Sequence, residues 1–217
     1  MGSAVAAPQS AALRVAAYAA VFILWGGSFL AVREVVAVAP PFMAASFRFL
    51  VAGLFMLAYS RATGAPVPAA NEVRSTALLG FTMFGLNYAC LFWAEQRVAS
   101  GYAAIISSTV PVWVFAGEWL WLRSVRPRGA AIAGMVLGIC GVALLVLPGG
   151  QGEWTYSALA LLTGTFCWAG GTLWSRRVST PRSRLVSAGL QMSFGGTFLC
   201  LLSFGAGEFS RLSFLPH

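Results

Sequence analysis

The residues able to do chemistry are few, and they sit inside hydrophobic runs where each is costly. Arg48 lies about nine residues into the apolar segment Pro40–Tyr59. An arginine at that depth costs about 2.5–3.5 kcal/mol on insertion scales and is too central to reach the interface. It either holds an anionic or carboxylate-bearing substrate in a cavity, or ties itself to helix carbonyls or to Glu118. Gln191 stands at the matching depth of a later segment, Leu185–Phe204, and could donate and accept hydrogen bonds in the same cavity. Glu118 is the only acidic residue well inside a span. It could carry a coupling proton, or pair with Arg123 or Arg126. Pro111 follows Ser107, Ser108 and Thr109. A proline there removes a backbone hydrogen bond, kinks the helix and offers a flex point beside those hydroxyls. Asn87 and Tyr88, halfway along Ser75–Trp93, are further polar candidates. Trp25 and Trp168 lie mid-span, away from the interfaces where tryptophan collects, so they wall a cavity or simply pack. Substrate binding is thus expected at Arg48, Gln191, Trp25, Trp168, Asn87, Tyr88, Ser107 and Ser108, around one central cavity. Gating or coupling is expected at Pro111 and Glu118.

The elements that must position these residues repeat. LWGGSFLAVREV at Leu24–Val35 reads against CWAGGTLWSRRV at Cys167–Val178, and Phe42–Phe55 against Leu185–Phe198. The offset throughout is 143 residues, as from Trp25 to Trp168. Identities include Trp25/Trp168, Gly27/Gly170, Leu30/Leu173, Arg33/Arg176 and Gly53/Gly196, and the same register sets Arg48 against Gln191.

Seven spans carry this repeat: Val15–Val32, Pro40–Tyr59, Ser75–Trp93, Gly101–Leu122, Gly129–Pro148, Thr155–Ser175 and Leu185–Phe204. Each approaches the roughly 20 residues that cross a bilayer. The first has Arg14 before it and Ala37-Val38-Ala39 after it, as a signal peptide would. Its apolar run is too long for one, and Arg33 and Glu34 intervene, so it is read as a transmembrane helix. With the N-terminus in the cytoplasm, ten arginines fall inside and Arg33, Arg97 and Arg211 outside. The second copy begins at span six, so the unit is five spans. An odd unit inserts its second copy inverted, the plan of many secondary transporters. The domains expected are a cytoplasmic tail at 1–14, a first unit at 15–148 and a partial second unit at 155–217. The fold class is an all-α polytopic helical bundle with inverted five-helix repeats, seven spans of an expected ten. Three more apolar segments are expected in a frame continuing past His217, and without them Gln191 and Gly195-Gly196 would face lipid.

Composition narrows the class. Of 217 residues, 59% are hydrophobic and 9% charged; a soluble domain carries about 25% charged residues. The chain is an integral membrane protein, and its net charge of +8 reflects topology rather than nucleic-acid binding. All 14 basic residues are arginine, with no Lys and no Asp, and the single His is the last residue. That excludes a retinal Schiff base, leaves an intramembrane protease without a paired Asp, a zinc motif or Ser with His, and serves metal ligation poorly. No phosphate-binding GxxxxGK[ST] is present. No enzyme activity, cofactor, metal or nucleic acid is expected. Cys90, Cys140, Cys167 and Cys200 lie in apolar segments without CxxC spacing and read as small fillers.

LWGGSFLAVREV, PPFMAASFRFLVAG, LNYACLFWAEQRVASGYAAIISSTVPVWV and GMVLGICGVALLV together resemble the EamA domain of the drug/metabolite transporter superfamily. The resemblance covers Val15 to about Val146 as one unit and Tyr156 to about Phe204 as the start of another. It implies ten spans in two inverted units and movement of small metabolites or amino acids, often outward. Many members carry Gly-Glu just after span four; here Ser124 and Val125 stand there, which puts that acidic gate in doubt unless Glu118 replaces it. The function expected is therefore a secondary transporter in the cytoplasmic (inner) membrane, N-terminus inside. It would export amino acids or related compounds by alternating access, acting on a small-molecule substrate from within the lipid bilayer. A homodimer or a partner chain is left open. The alternative is a non-transporting membrane protein, a sensor or an inactive relic.

Overall fold

A computed structural model describes residues 11–124, 128–146 and 153–211. All of its regular structure is helical. The helices are α1 (Ala11–Val38), α2 (Pro41–Ala62), α3 (Ala70–Glu95), α4 (Ser100–Leu120), α5 (Gly129–Val146), α6 (Glu153–Ser175), α7 (Arg184–Gly205) and the short α8 (Glu208–Arg211). Five of them, α1 to α4 and α7, are long and apolar enough to cross a membrane; the apolar part of α5 is shorter. The 23 residues of α6 have the length as well. The helices overrun the expected spans. Leu13 and Arg14, expected in a tail, already belong to α1, and so do Arg33 and Glu34 at its other end. Val125, Arg126 and Pro148 lie outside the described residues.

The bundle is built on the α2–α7 pair, whose contact follows the repeat. A Cβ added at Gly53 would come within 2.6 Å of Ser193 Oγ and 2.8 Å of the Gly189 carbonyl oxygen. One added at Gly196 would come within 3.0 Å of the Leu50 amide nitrogen. Leu50 and Ser193 are themselves 143 residues apart. The two close approaches are thus one contact exchanged by a pseudo-two-fold axis, as an inverted repeat requires. Small residues at such crossings let helix backbones meet, which is how helices gain packing in lipid.

Helix α7 also packs on α3, where Gly80–Leu86 is a π-helical stretch. Its wider turns meet α7 through Gly80 against Gln191, Gly85 against Phe198 and Phe84 against Gly195. Gly195 and Gly196 are consequently buried, and Gln191 is half-buried with its Nε2 donating to Ser187 Oγ at 3.1 Å. The expectation that these residues would face lipid is corrected: α3 packs on Gln191 and Gly195, and Leu50 of α2 on Gly196, all from within the chain. Helix α6 packs on α3 and α4, and α1 leans on α3 and α4 through its second half. The first half of α1 and most of α5 remain exposed, with Phe22, Ile23, Leu24 and Leu137 more than 70% uncovered. A helix apolar all round belongs in a hydrocarbon environment.

At the end of the bundle where α2 starts, its first N–H groups find a distant partner. Pro40 has no side chain able to cap. Glu208 of α8 accepts from the amide nitrogens of Phe42 at 3.3 Å and Met43 at 2.9 Å. Gly207, at φ +68°, turns the chain back to bring it there.

Candidate functional site

Helices α1, α2, α3, α4, α6 and α7 line an open cavity of about 930 Å³. Seven of the eight expected binding residues line it, from five different helices: Trp25 on α1, Arg48 on α2, Asn87 and Tyr88 on α3, Ser107 and Ser108 on α4, and Trp168 on α6. Pro111 lines it as well. The volume falls in the range that encloses a small organic ligand.

One side of the cavity is aromatic. The Tyr88 ring lies 4.5 Å from Phe49, edge to face, and stacks at 6.0 Å on Phe84. Trp168 closes the wall, 5.6 Å from Phe84 and 6.2 Å from Tyr88. The π-helical stretch ends at Leu86, so Asn87 and Tyr88 start the next α-helical turn. Such insertions recur at functional sites because they re-aim side chains. The Arg48 guanidinium lies 5.5 Å from the centre of the Phe49 ring and 6.0 Å from that of Tyr88. Both are cation–π contacts, which leave the N–H groups free for an acceptor. Among the described residues no carboxylate pairs with Arg48; the single ion pair there joins Arg176 and Glu118.

The opposite side comes from the broken helix α4. Its α-helical turns stop at Ser107 and resume at Val110. Pro111 has no N–H to give the carbonyl of Ser107, four residues earlier. Ser108 Oγ donates to the Ile105 carbonyl at 2.6 Å and Thr109 Oγ1 to that of Ile106 at 2.7 Å. Thr109 Oγ1 also lies 3.3 Å from Thr165 Oγ1 of α6, which ties the break to the neighbouring helix. The cavity thus offers a cation and aromatic faces on one side, and hydroxyls with a backbone acceptor on the other.

Two expected residues fall elsewhere. Gln191 does not line the cavity; Met192 does, as its repeat mate Phe49 does on α2. Successive residues on a helix point about 100° apart, so the one-residue difference turns Gln191 onto α3. Glu118 lies near the far end of α4 and pairs with Arg176, neither with Arg48 nor with Arg123; Arg126 is outside the described residues. Sequence reading missed Phe49, Phe84, Thr165 and Met192. The signal for Phe49 and Met192 was the repeat itself, read one position along.

Residues 14–147 match the model of the EamA-like transporter family. YedA of Escherichia coli K12, named as an uncharacterized inner membrane transporter, is 30% identical over 198 residues, covering 91% of this chain and 63% of that protein. A WAT1-related chloroplastic protein of Arabidopsis thaliana is 29% identical, over 84% of this chain and 45% of its own length. A probable terminal-alkyne amino-acid exporter of Streptantibioticus cattleyicolor is 30% identical over 121 residues, 53% of this chain and 38% of that protein. One crystal structure shares the fold, with a TM-score of 0.54 at 22% identity over 83% of this chain and 66% of the other. The chain spans less than two thirds of the length of these relatives. With 134 of its 217 residues in the family match, the chain belongs to the EamA-like transporter family.

Proposed function

We propose that this chain forms the substrate cavity of a secondary transporter that exports amino acids or related small carboxylates by alternating access. Its units would be the five spans of 15–148 and the inverted start of a second at 155–217. The observation that carries the reading is Arg48, an arginine in an aromatic cavity with no described carboxylate beside it. An anionic group on the substrate is the natural partner for such a cation. Asn87 and the unbonded Ser107 carbonyl suit an ammonium group, and Trp25, Tyr88 and Trp168 suit an apolar side chain. The name of the amino-acid exporter among the relatives points the same way. Pro111 marks the flex point, and the Glu118–Arg176 pair closes one end. No chemical conversion is assigned to the chain. The arginine pattern favours a cytoplasmic N-terminus in an inner membrane; labelling of the Arg61–Arg74 loop by an impermeant maleimide in intact cells would overturn that orientation.

Ligand binding to the reconstituted chain, read by tryptophan fluorescence, tests the cavity. A panel of aromatic and aliphatic amino acids is compared with the corresponding amides. A hydrogen bond to a charged group is worth about 1.5–3 kcal/mol, and each 1.4 kcal/mol is about tenfold in affinity. Removing the substrate carboxylate, or Arg48→Gln, is expected to weaken binding about ten- to hundredfold. Amides that bind as tightly as the acids would return Arg48 to a structural role.

A further inference from the structure

Glu95 is the last residue of α3. In the structure it is 0% exposed, and neither carboxyl oxygen has a hydrogen-bond partner. It sits one helical turn beyond Leu91, which lines the cavity. An ionised carboxylate without a partner is one of the costliest groups to bury. A cation is nonetheless at hand: Arg33 of α1 donates to the backbone carbonyl of the same residue, Glu95. Were the carboxyl ionised, it would outcompete a neutral carbonyl for that guanidinium. The arrangement fits a neutral, protonated carboxyl.

The other end of the repeat supplies the contrast. Arg176, the repeat mate of Arg33, binds the Glu118 carboxylate itself. One arginine of the pair thus stands in an ion pair, and the other stands beside an acid whose pair is not made.

Other groups facing Glu95 are accounted for. Helix α1 brings Arg33 and the exposed Glu34. The start of α2 is occupied by Glu208. Helix α4 brings the buried Tyr102. The described side chains of α6 include no charged residue. Arg97 is turned over the Trp93 ring, 4.3 Å from its centre, and donates to the Trp93 carbonyl.

We propose that Glu95 is a proton-binding site: protonated where α1, α3 and α4 close over it, and paired with Arg33 once the proton leaves. Coupling of that proton to transport rests on the function proposed above; the protonation itself does not.

Infrared spectroscopy of the full chain in liposomes tests it without any substrate. At neutral pH the wild type is expected to show the C=O stretch of a protonated carboxylic acid, shifted in D₂O and lost reversibly as the pH is raised. Glu95→Gln should abolish the band. Arg33→Gln removes the partner of the ionised form, so the band should persist to higher pH. If Glu95→Gln fails to fold, Glu95→Asp keeps the carboxyl, and a change in band frequency makes the same assignment. Absence of the band in the wild type at neutral pH, or its survival unchanged in both Glu95 variants, overturns the site; an unmoved pH dependence in Arg33→Gln overturns the switch to Arg33. None of these outcomes bears on ligand binding at Arg48, so the two proposals fail separately.

Discussion

Replacing Gly53 by alanine tests how closely α2 and α7 approach. The added Cβ would lie 2.6 Å from Ser193 Oγ, 2.8 Å from the Gly189 carbonyl oxygen and 2.8 Å from the Ser193 amide nitrogen, where 3.4–4 Å is ordinary contact. The Ser193 hydroxyl can rotate away; the other two atoms are backbone and cannot. The helices must therefore part by several tenths of an ångström along their crossing. A gap of about 0.5–1 Å forfeits a quarter to a half of the dispersion attraction between facing atoms, and this pair carries buried Ala45, Phe49, Val186 and Leu199. Overpacking of this kind costs about 1–3 kcal/mol. Alanine also gains about 1 kcal/mol of helix propensity over glycine, so an internal control is needed. Gly27 and Gly170, the other glycine pair of the repeat, have nothing within 4 Å of an added Cβ. Substitution there isolates the propensity gain. Thermal unfolding of the detergent-solubilised chain, followed by tryptophan fluorescence, should place Gly53→Ala about 1–3 kcal/mol below Gly170→Ala. Gly196→Ala should fall between them, since its nearest atoms lie at 3.0 Å and two of the three belong to the Leu50 side chain. Equal midpoints for Gly53→Ala and Gly170→Ala would refute the close crossing and the two-fold contact drawn from it.

Two further experiments address the ends of the bundle. Glu208→Ala leaves the first amides of α2 without an acceptor and should cost about 0.5–2 kcal/mol, the usual value of a lost helix cap, read as a lower unfolding midpoint; an unchanged midpoint would mean that α8 does not cap α2. The Glu118–Arg176 pair is partly open to its surroundings, with the arginine side chain 52% exposed, so its coupling should be at most about 1 kcal/mol. A double-mutant cycle with Glu118→Gln and Arg176→Gln measures it, and a larger coupling would show that the pair holds the fold rather than latching one end.

Much of the fold was legible because helical spans are dictated by the bilayer rather than by tertiary detail. Length and apolarity placed the helices; Gly53 and Gly196 stood out only as identities of the repeat, and the crossing they make is seen in the structure alone. Rotation about each helix axis was less legible. The offset that set Arg48 against Gln191 was correct as an alignment, yet the residue presented by α7 to the cavity is Met192. The π-helical stretch Gly80–Leu86 of α3, which meets α7 at Gln191, Gly195 and Phe198, likewise leaves no period in the sequence. Glu95 was not singled out by the sequence, for a related reason. A charge at the end of an apolar run looks like a loop residue, and only the convergence of α1, α3 and α4 buries it. Glu208 capping α2 across 166 positions of sequence is a contact that no local pattern encodes.

The different surroundings of Arg48 and Gln191 bear on how the cavity would recognise a substrate. The two occupy equivalent places in the repeat, but α3 packs against Gln191 while, among the described residues, the equivalent face of α2 is open: Arg48, Val51 and Phe55 are exposed. The polar character of the pair is therefore spent differently. On α7 the amide reaches back to Ser187 within its own helix, and the cavity receives the thioether of Met192, an adaptable apolar surface. On α2 the guanidinium remains available, steadied from one side by Phe49 and Tyr88. Under the proposed function, charge recognition would fall to α2 and not to its repeat mate α7. A ligand with one anionic end and one apolar end fits that polarity in a single orientation, carboxylate toward Arg48 and side chain toward Met192 and Trp168. A dianion would leave its second charge against apolar walls without a partner, a cost that selects against it.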